Sequence, residues 1–348
     1  MYVEINSDLS VFECRFQRVK TAVVILNWNT EAYLLRFLPG LIASVAGMDA
    51  EIVVADNGST DASLDVMREH FPGVRVIPLD TNYGFTGGYN RALAQIEAEC
   101  FVLINSDIEV PSHWLRPLVD WMDSHPDCGA CGPKLLAFDE RDRFEYAGAA
   151  GGLIDRYGFP FCRGRVLKRT EKDHGQYDTP CDVLWVSGAC LMVRSSLWRQ
   201  LGGLDERFFA HMEEIDLCWR LQRAGARVTV VPASYVYHIG GGTLPNESPH
   251  KLKLNFRNNL LLLENNLPET LGSTLKARLR IFARKCLDGM IALVYLATLR
   301  PALFRAVWDA HKEYRRLRRP LPHISGKSPV PVIGLYPHWI VPFLLKRI

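Results

Sequence analysis

The sequence predicts an α/β protein: a mostly parallel, Rossmann-like sheet with helices on both faces, continued by a C-terminal helical, basic amphipathic region. Two observations predict it. Apolar runs that end abruptly in polar residues alternate with stretches whose apolar residues recur at helical spacing, the rhythm of repeated β-α-β units. Charge is also divided unevenly. Residues 270–348 hold 15 Lys and Arg against three acids, while the chain before them holds 26 against 35, so a basic tail follows an acidic body. With 348 residues, 48% of them hydrophobic, the chain can bury a substantial core and is not of the disordered class. The expected organisation is an N-terminal extension over 1–20, a body over 21–268 and a helical tail over 269–348.

The extension "MYVEINSDLSVFECRFQRVK" carries charges where a signal peptide needs an apolar run, and the nine cysteines are odd in number and scattered, so a reducing, cytoplasmic setting is expected. Cys128 and Cys131 have CxxC spacing, but no second Cys or His pair stands nearby to complete a zinc site. "TAVVILNWN" (21–29) and "AEIVVADNGSTD" (50–61) read as buried parallel strands. Between them "TEAYLLRFLPGLIASV" is helical in spacing, and "DASLDVMREHF" reads as a helix that Ser59 or Thr60 would cap. A third strand "VRVIPL" leads through "NYGFTGGYNRALAQIEAE", a loop opening a helix, to a fourth, "CFVLINSD". Right-handed crossovers then make a doubly wound sheet, whose ligands sit beyond the carboxyl ends of the strands, where Asn27, Asp56 and Asp107 fall.

That chemistry suits a nucleotide. An Asp after the second strand accepts hydrogen bonds from ribose or base N–H groups, and Gly84, Gly87 and Gly88 let backbone approach a ligand closely. "DNGSTD" also reads as plain turn chemistry. No GxGxxG follows the first strand and no GxxxxGK[ST] occurs, so neither a dinucleotide site nor a P-loop is signalled. A carboxylate at Asp107 makes sense beside a diphosphate chiefly if a divalent cation bridges them, and His238 in "VYHIGGGT" is a candidate second ligand. Further on, "AHMEEIDLCWRLQ" (210–222) crowds Glu213, Glu214 and Asp216 into four positions, where mutual repulsion raises carboxylate pKa values. The same acids would also favour the positive end of a helix start.

The ordered set "VVILNWNT", "DNGSTD", "NYGFTGGYN", "NSD", "SGACLMVRSSLWRQLGGLDERFF", "EEIDLCWRLQRAG" and "VYHIGGGT" resembles the family 2 inverting glycosyltransferases of the GT-A fold, especially the bacterial surface-polysaccharide, rhamnosyltransferase-like branch, over residues 21–262. The resemblance implies that Asn27, Trp28 and Asp56 hold the nucleobase and ribose of a UDP- or dTDP-sugar, with Asn82, Gly87 and Asn90 lining the same pocket and Arg257 near the donor phosphates. The family's DxD motif stands here as Asn105-Ser106-Asp107, so only its last acid remains, and His238 becomes the compensating ligand for Mg2+ or Mn2+. The family's catalytic Glu-Asp pair is Glu213-Glu214 here. Glu214 is then the general base for the acceptor hydroxyl, while Glu213 and Asp216 hold acceptor hydroxyls, orient the helix or raise the base's pKa. For the acceptor, Trp185 and Gly188 lie where a sugar ring would stack on an aromatic face, although Trp185 also reads as core. The Gly- and aromatic-rich stretch 147–165 is a candidate acceptor-side loop.

In the tail, Leu275, Leu279, Phe282, Cys286, Met290 and Leu293 keep helical spacing beside Lys276, Arg278, Arg280, Arg284 and Lys285, a basic amphipathic helix. Its uninterrupted apolar run is too short for a bilayer, which takes about 20 residues. The expected partner is therefore an anionic membrane surface and not nucleic acid, with packing on the core or in a homodimer as the alternative use of the helix. The function expected from all of this is inverting transfer of a sugar such as rhamnose, galactose or GlcNAc to a lipid-linked saccharide, by a peripheral protein on the inner face of the cytoplasmic membrane. The alternatives are a catalytically silent nucleotide-sugar binding module and a sugar nucleotidyltransferase, the latter lacking its Gly-rich basic loop after "VVILNWN".

Overall fold

A computed structural model describes residues 19–166, 169–240, 248–324 and 328–339. The first half is the repeat read from the sequence. Strands β1 (Val19–Asn27), β2 (Ala50–Asp56), β3 (Arg75–Pro78) and β4 (Ala98–Ile104) run parallel, joined by helices α1 (Glu31–Ser44), α2 (Ser63–His70) and α3 (Gly84–Leu93). The middles of the strands are apolar because both faces are covered there. In β1, Ala22 and Val24 enter a core with Val53, Tyr89 and Trp219, while Val23 and Ile25 enter another with Leu34, Val54 and Trp114. Gly88 lets α3 lie on β1, since a Cβ there would come within 2.7 Å of Leu26. The start of α2 differs from expectation. Its first N–H, on Ser63, is taken by Asp61, because the Ser59 hydroxyl is already occupied by Asn27 and Asn29.

The second half extends the sheet with mixed direction. The elements are β5 (Ile108–Glu109), α4 (Leu115–Ser124), β6 (Cys128–Ala137), β7 (Gly152–Asp155), β8 (Pro160–Cys162), β9 (Arg165–Val166), β10 (Arg169–Thr170), β11 (Cys181–Asp182), β12 (Cys190–Arg194), α5 (Ser195–Gln200), α6 (Glu213–Arg223) and β13 (Arg227–His238). The strand order is β11-β13-β6-β12-β4-β1-β2-β3, with β5 on β13. Two pairings position the site. Because β12 runs antiparallel to β4, with Cys190 opposite Ile104, its entry at Ser187–Ala189 meets the carboxyl end of β4. Because His238 pairs with Ile108, the end of β13 lies beside Asp107. Cys128 and Cys131 are buried reduced thiols of the core on β6.

The tail folds back onto this body. Helix α7 (Pro249–Thr270) packs on α6, and α8 (Thr274–Ala297) and α9 (Pro301–Leu317) pack on α7, so the expected boundary at 268 falls in the last turn of α7. Strand β14 (Leu335–Tyr336) then joins β7 in a second sheet, ordered β10-β9-β8-β7-β14, and Ile333 N–H donates to Gln222 at 2.7 Å. The stretch 147–165, expected beside the acceptor, supplies β7 and β8 of that sheet. Among the described residues no helix is long and apolar enough to cross a membrane. Most of the N-terminal extension and residues 340–348 of the tail lie outside the described residues, as do Gly241–Thr243 of the "VYHIGGGT" stretch.

Candidate active site

The parallel register ends β1 and β2 level, so Asn27 and Asp56 are opposite one another. Both are buried, and Asn27 Nδ2 donates to Asp56 Oδ1 at 2.8 Å and to Ser59 Oγ at 3.1 Å. Thr30 Oγ1 donates to Asn27 Oδ1 at 2.5 Å and lies 3.0 Å from Ser106 Oγ, which ties this corner to the loop after β4. Trp28, 40% exposed, follows directly from the same strand end.

One loop further, Asp107 and His238 come together. His238 Nε2 lies 3.2 Å from Asp107 Oδ1, and its Nδ1 lies 3.5 Å from Glu145 Oε1, all three side chains being buried. Burial alone would lower the imidazole pKa, but Asp107 and Glu145 lift it to about 10, so with no cation beside it the ring favours its protonated form. Among the described residues no three His, Cys, Asp or Glu side chains are arranged as a ready metal cage. A carboxylate oxygen and an imidazole nitrogen side by side are the donor types that a divalent cation takes, in exchange for the proton on Nε2, so the residues fit such an ion, with the Glu145 carboxylate 3.5 Å from the ring's other nitrogen. Glu145 was not found from sequence. It follows β6 without any motif, and only the fold carries it to His238.

The carboxylates of α6 follow a segment of unusual backbone. Phe209, His211 and Met212 have φ of 62°, 72° and 71°, a left-handed conformation that non-glycine residues hold only when surroundings enforce it. Asn258 Nδ2 donates to the carbonyls of Phe208, Ala210 and His211 at 3.0, 2.7 and 2.7 Å, and Arg257 adds a bond to Phe208 O at 2.6 Å. From the other side Thr86 N–H donates to Phe209 O at 3.2 Å. The segment delivers Glu213, buried, and Glu214, partly exposed, each with one buried carboxylate oxygen lacking a protein partner. Burial, then repulsion from Glu214 and Asp216, raises the Glu213 pKa well above the ordinary value. For Glu214 burial outweighs opposing backbone hydrogen bonds and pushes the pKa up to about 7. Gly188 lets this side chain lie against backbone, since a Cβ there would stand 3.3 Å from Glu214 Cβ. The same turn reaches the rest of the site: Asn105 N–H donates to Ala189 O at 3.0 Å, and Ser187 Oγ donates to Ala147 O at 2.5 Å, next to Glu145.

Other expected site residues are used differently. Asp216 is fully buried, with Arg220 on one oxygen at 2.7 Å and Asn265 and Asn266 on the other at 3.0 and 2.9 Å, so it anchors α6 to α7 and has no oxygen spare for an acceptor. Arg257 is buried with Phe208 O, Asn258 and Glu313 as partners, which makes it a brace of the 209–212 segment and not a phosphate ligand. Trp185 is core: it is 4% exposed, donates to Leu153 O at 3.2 Å and fills the space above Gly152, so no sugar can stack on it. Asn90 spends both ends of its amide on the Leu204 backbone at 2.8 and 2.9 Å. Gly87 faces Tyr83 and Arg91 of its own helix, and Asn82 binds Asn57 at 3.0 Å and Gly84 N–H at 2.8 Å, which shapes the loop opening α3.

The profile described as Glycosyl transferase family 2 matches residues 22–199, β1 through most of α5. An N-acetylglucosaminyl-diphospho-decaprenol L-rhamnosyltransferase of Mycobacterium tuberculosis is 30% identical over 234 residues, covering 62% of this chain and 75% of its own. The rhamnosyltransferase WbbL of Escherichia coli is 26% identical, covering 62% of this chain and 82% of its own. In fold, the mannosyltransferase PcManGT from Pyrobaculum calidifontis, solved with GDP-Man and Mn2+, superposes with a TM-score of 0.53 at 14% identity, covering 87% of this chain and 89% of its own. A GT-A sheet whose strand ends gather Asn27, Asp56 and Asp107, matched by that profile over half its length, belongs to glycosyl transferase family 2.

Proposed function

We propose that the protein is an inverting glycosyltransferase that moves a sugar, rhamnose first among the candidates, from a dTDP- or UDP-sugar to a lipid-linked saccharide, met at the inner face of the cytoplasmic membrane, in glycan synthesis. The observation that carries the reading is Glu214: a carboxylate with an unpartnered oxygen and a pKa near 7, braced against Gly188 beside the strand-end cluster. The named acceptor of the mycobacterial relative supports the choice of substrates.

Asn27, Trp28 and Asp56 hold the nucleoside, Trp28 with its exposed ring and the other two from the hydrogen-bonded strand ends. Glu214 removes the proton from the acceptor hydroxyl as that oxygen bonds the anomeric carbon, and the bond to the nucleoside diphosphate breaks on the opposite face; the proton stays on Glu214. Glu213 is itself raised well above the ordinary carboxylate value by burial and then by the charge of Glu214, so it titrates together with the base as one pair. A divalent cation, Mg2+ or Mn2+, supplies when bound the positive charge that offsets the departing diphosphate. Asp107 and His238 would hold it, and Glu145 is the positioning residue that fixes the ring of His238. Release of nucleoside diphosphate from a panel of dTDP- and UDP-sugars, with polyprenyl-diphosphate-linked GlcNAc as acceptor, tests the reading. Turnover that needs Mg2+ or Mn2+ and stops with EDTA is expected, and turnover indifferent to EDTA would contradict the cation's part.

A further inference from the structure

Helix α8 is packed with its polarity reversed. Toward the body it buries Thr274, Ala277, Ile281, Arg284, Asp288 and Ala292. Arg284, expected from sequence on the basic outer face, instead pairs inside with Asp288 at 2.7 Å and donates to Tyr157 O at 3.1 Å, while His311 of α9 lies 3.2 Å from Asp288. The large apolar side chains face out: Leu275, Leu279, Phe282, Met290 and Leu293 are 67%, 61%, 66%, 54% and 61% exposed. With exposed Cys286 between Phe282 and Met290, their spacing of three and four residues makes one stripe about 27 Å long. Isolated exposed leucines are ordinary, but an aligned stripe of this length marks an interaction surface.

Cations border the stripe on both sides. Lys276 and Arg278 are exposed, Lys285 stands near enough to Arg315 and Arg318 to feel their charge, and Arg280 stands near Arg156. Trp308 of α9, 63% exposed, adds a ring of the kind that favours a membrane interface. Two copies meeting through this face would bring these cations together, whereas anionic lipid headgroups would neutralise them while the stripe entered the acyl boundary.

We propose that the outward face of α8 docks in the plane of an anionic lipid bilayer, holding the body by an inverted helix that buries its ion pair inward and its apolar stripe in lipid. This deepens the membrane part of the proposed function and does not depend on the transfer chemistry, because docking is measured without substrate. The experiment is flotation of the full chain with phosphatidylcholine vesicles with and without phosphatidylglycerol, beside a Leu279→Glu/Phe282→Glu variant whose substitutions point to solvent. The wild type should float with the anionic vesicles only and be released by about 0.5 M NaCl, and the variant should bind at least about tenfold less, with thermal stability and turnover on a soluble acceptor unchanged. A wild type that ignores anionic vesicles would overturn the proposal. So would a variant that floats equally well, or light scattering that shows a dimer which the two substitutions dissociate.

Discussion

At the scale of single residues, three neighbouring carboxylates have three different situations, and mutations should separate them. Asp216 is satisfied on both oxygens by Arg220, Asn265 and Asn266, so Asp216→Ala strips a half-buried Arg220 of its carboxylate and leaves the Asn265 and Asn266 amides without their acceptor, which should cost about 1–3 kcal/mol in denaturant unfolding, with nucleotide-sugar affinity retained by the folded fraction. Glu213 is the reverse. Its pKa is higher folded than unfolded, so its favourable contribution is complete below the unfolded value and is lost as pH rises through the folded one. Glu213→Gln should therefore raise the melting temperature at pH 8 by a few degrees and leave it unchanged near pH 4. An unchanged melting temperature at pH 8 would show that the carboxylate is not strained there. Glu145 is tested through the ion and not through turnover: Glu145→Gln should weaken Mn2+ binding, followed by calorimetry, by about 10–100-fold, the usual effect of removing a partner of a ligating histidine. Crowded acids were legible in the sequence, but which of them is free was not, because Asn265 and Asn266 come from α7, about fifty residues downstream.

At the scale of elements, the alternation of β1 to β4 with α1 to α3 was legible because two-sided burial gives strands continuous apolar centres and helices keep their own period. The segment that aims α6 was not. Its left-handed residues cost about 1–3 kcal/mol each and persist because Asn258 and Arg257 hold its carbonyls. A side-chain amide that binds backbone carbonyls elsewhere has no local sequence signature, and the place of Arg257 near the donor phosphates rested on the resemblance alone. Asn258→Ala should release the segment, lowering kcat by about tenfold or more through misplaced Glu214 while Kd for the nucleotide sugar stays within about twofold. Equal losses in both would mean that the segment touches the donor.

At the scale of the whole molecule, the charge division read from the sequence marks a physical division of labour. The acidic body closes its strand ends around Asn27, Asp56, Asp107, His238 and the α6 carboxylates, and the basic tail packs on it through α7 and returns as β14. Apolar spacing located the amphipathic helix α8; the burial of Arg284 with Asp288 was hidden, since a buried ion pair four residues apart reads like a surface one. The central claim is that this assembly turns Glu214 into a base matched to neutral pH. The most direct measurement is nucleoside diphosphate release by the wild type and by Glu214→Gln across pH 5 to 9, with donor affinity measured in parallel. In the wild type kcat should rise with pH along a limb of apparent pKa near 7, belonging to the coupled Glu213–Glu214 pair, and level off. In Glu214→Gln the limb should vanish and kcat should fall by about 10²–10⁴ with donor affinity intact. A variant that kept more than about a tenth of the wild-type kcat, or the same limb, would contradict the assignment.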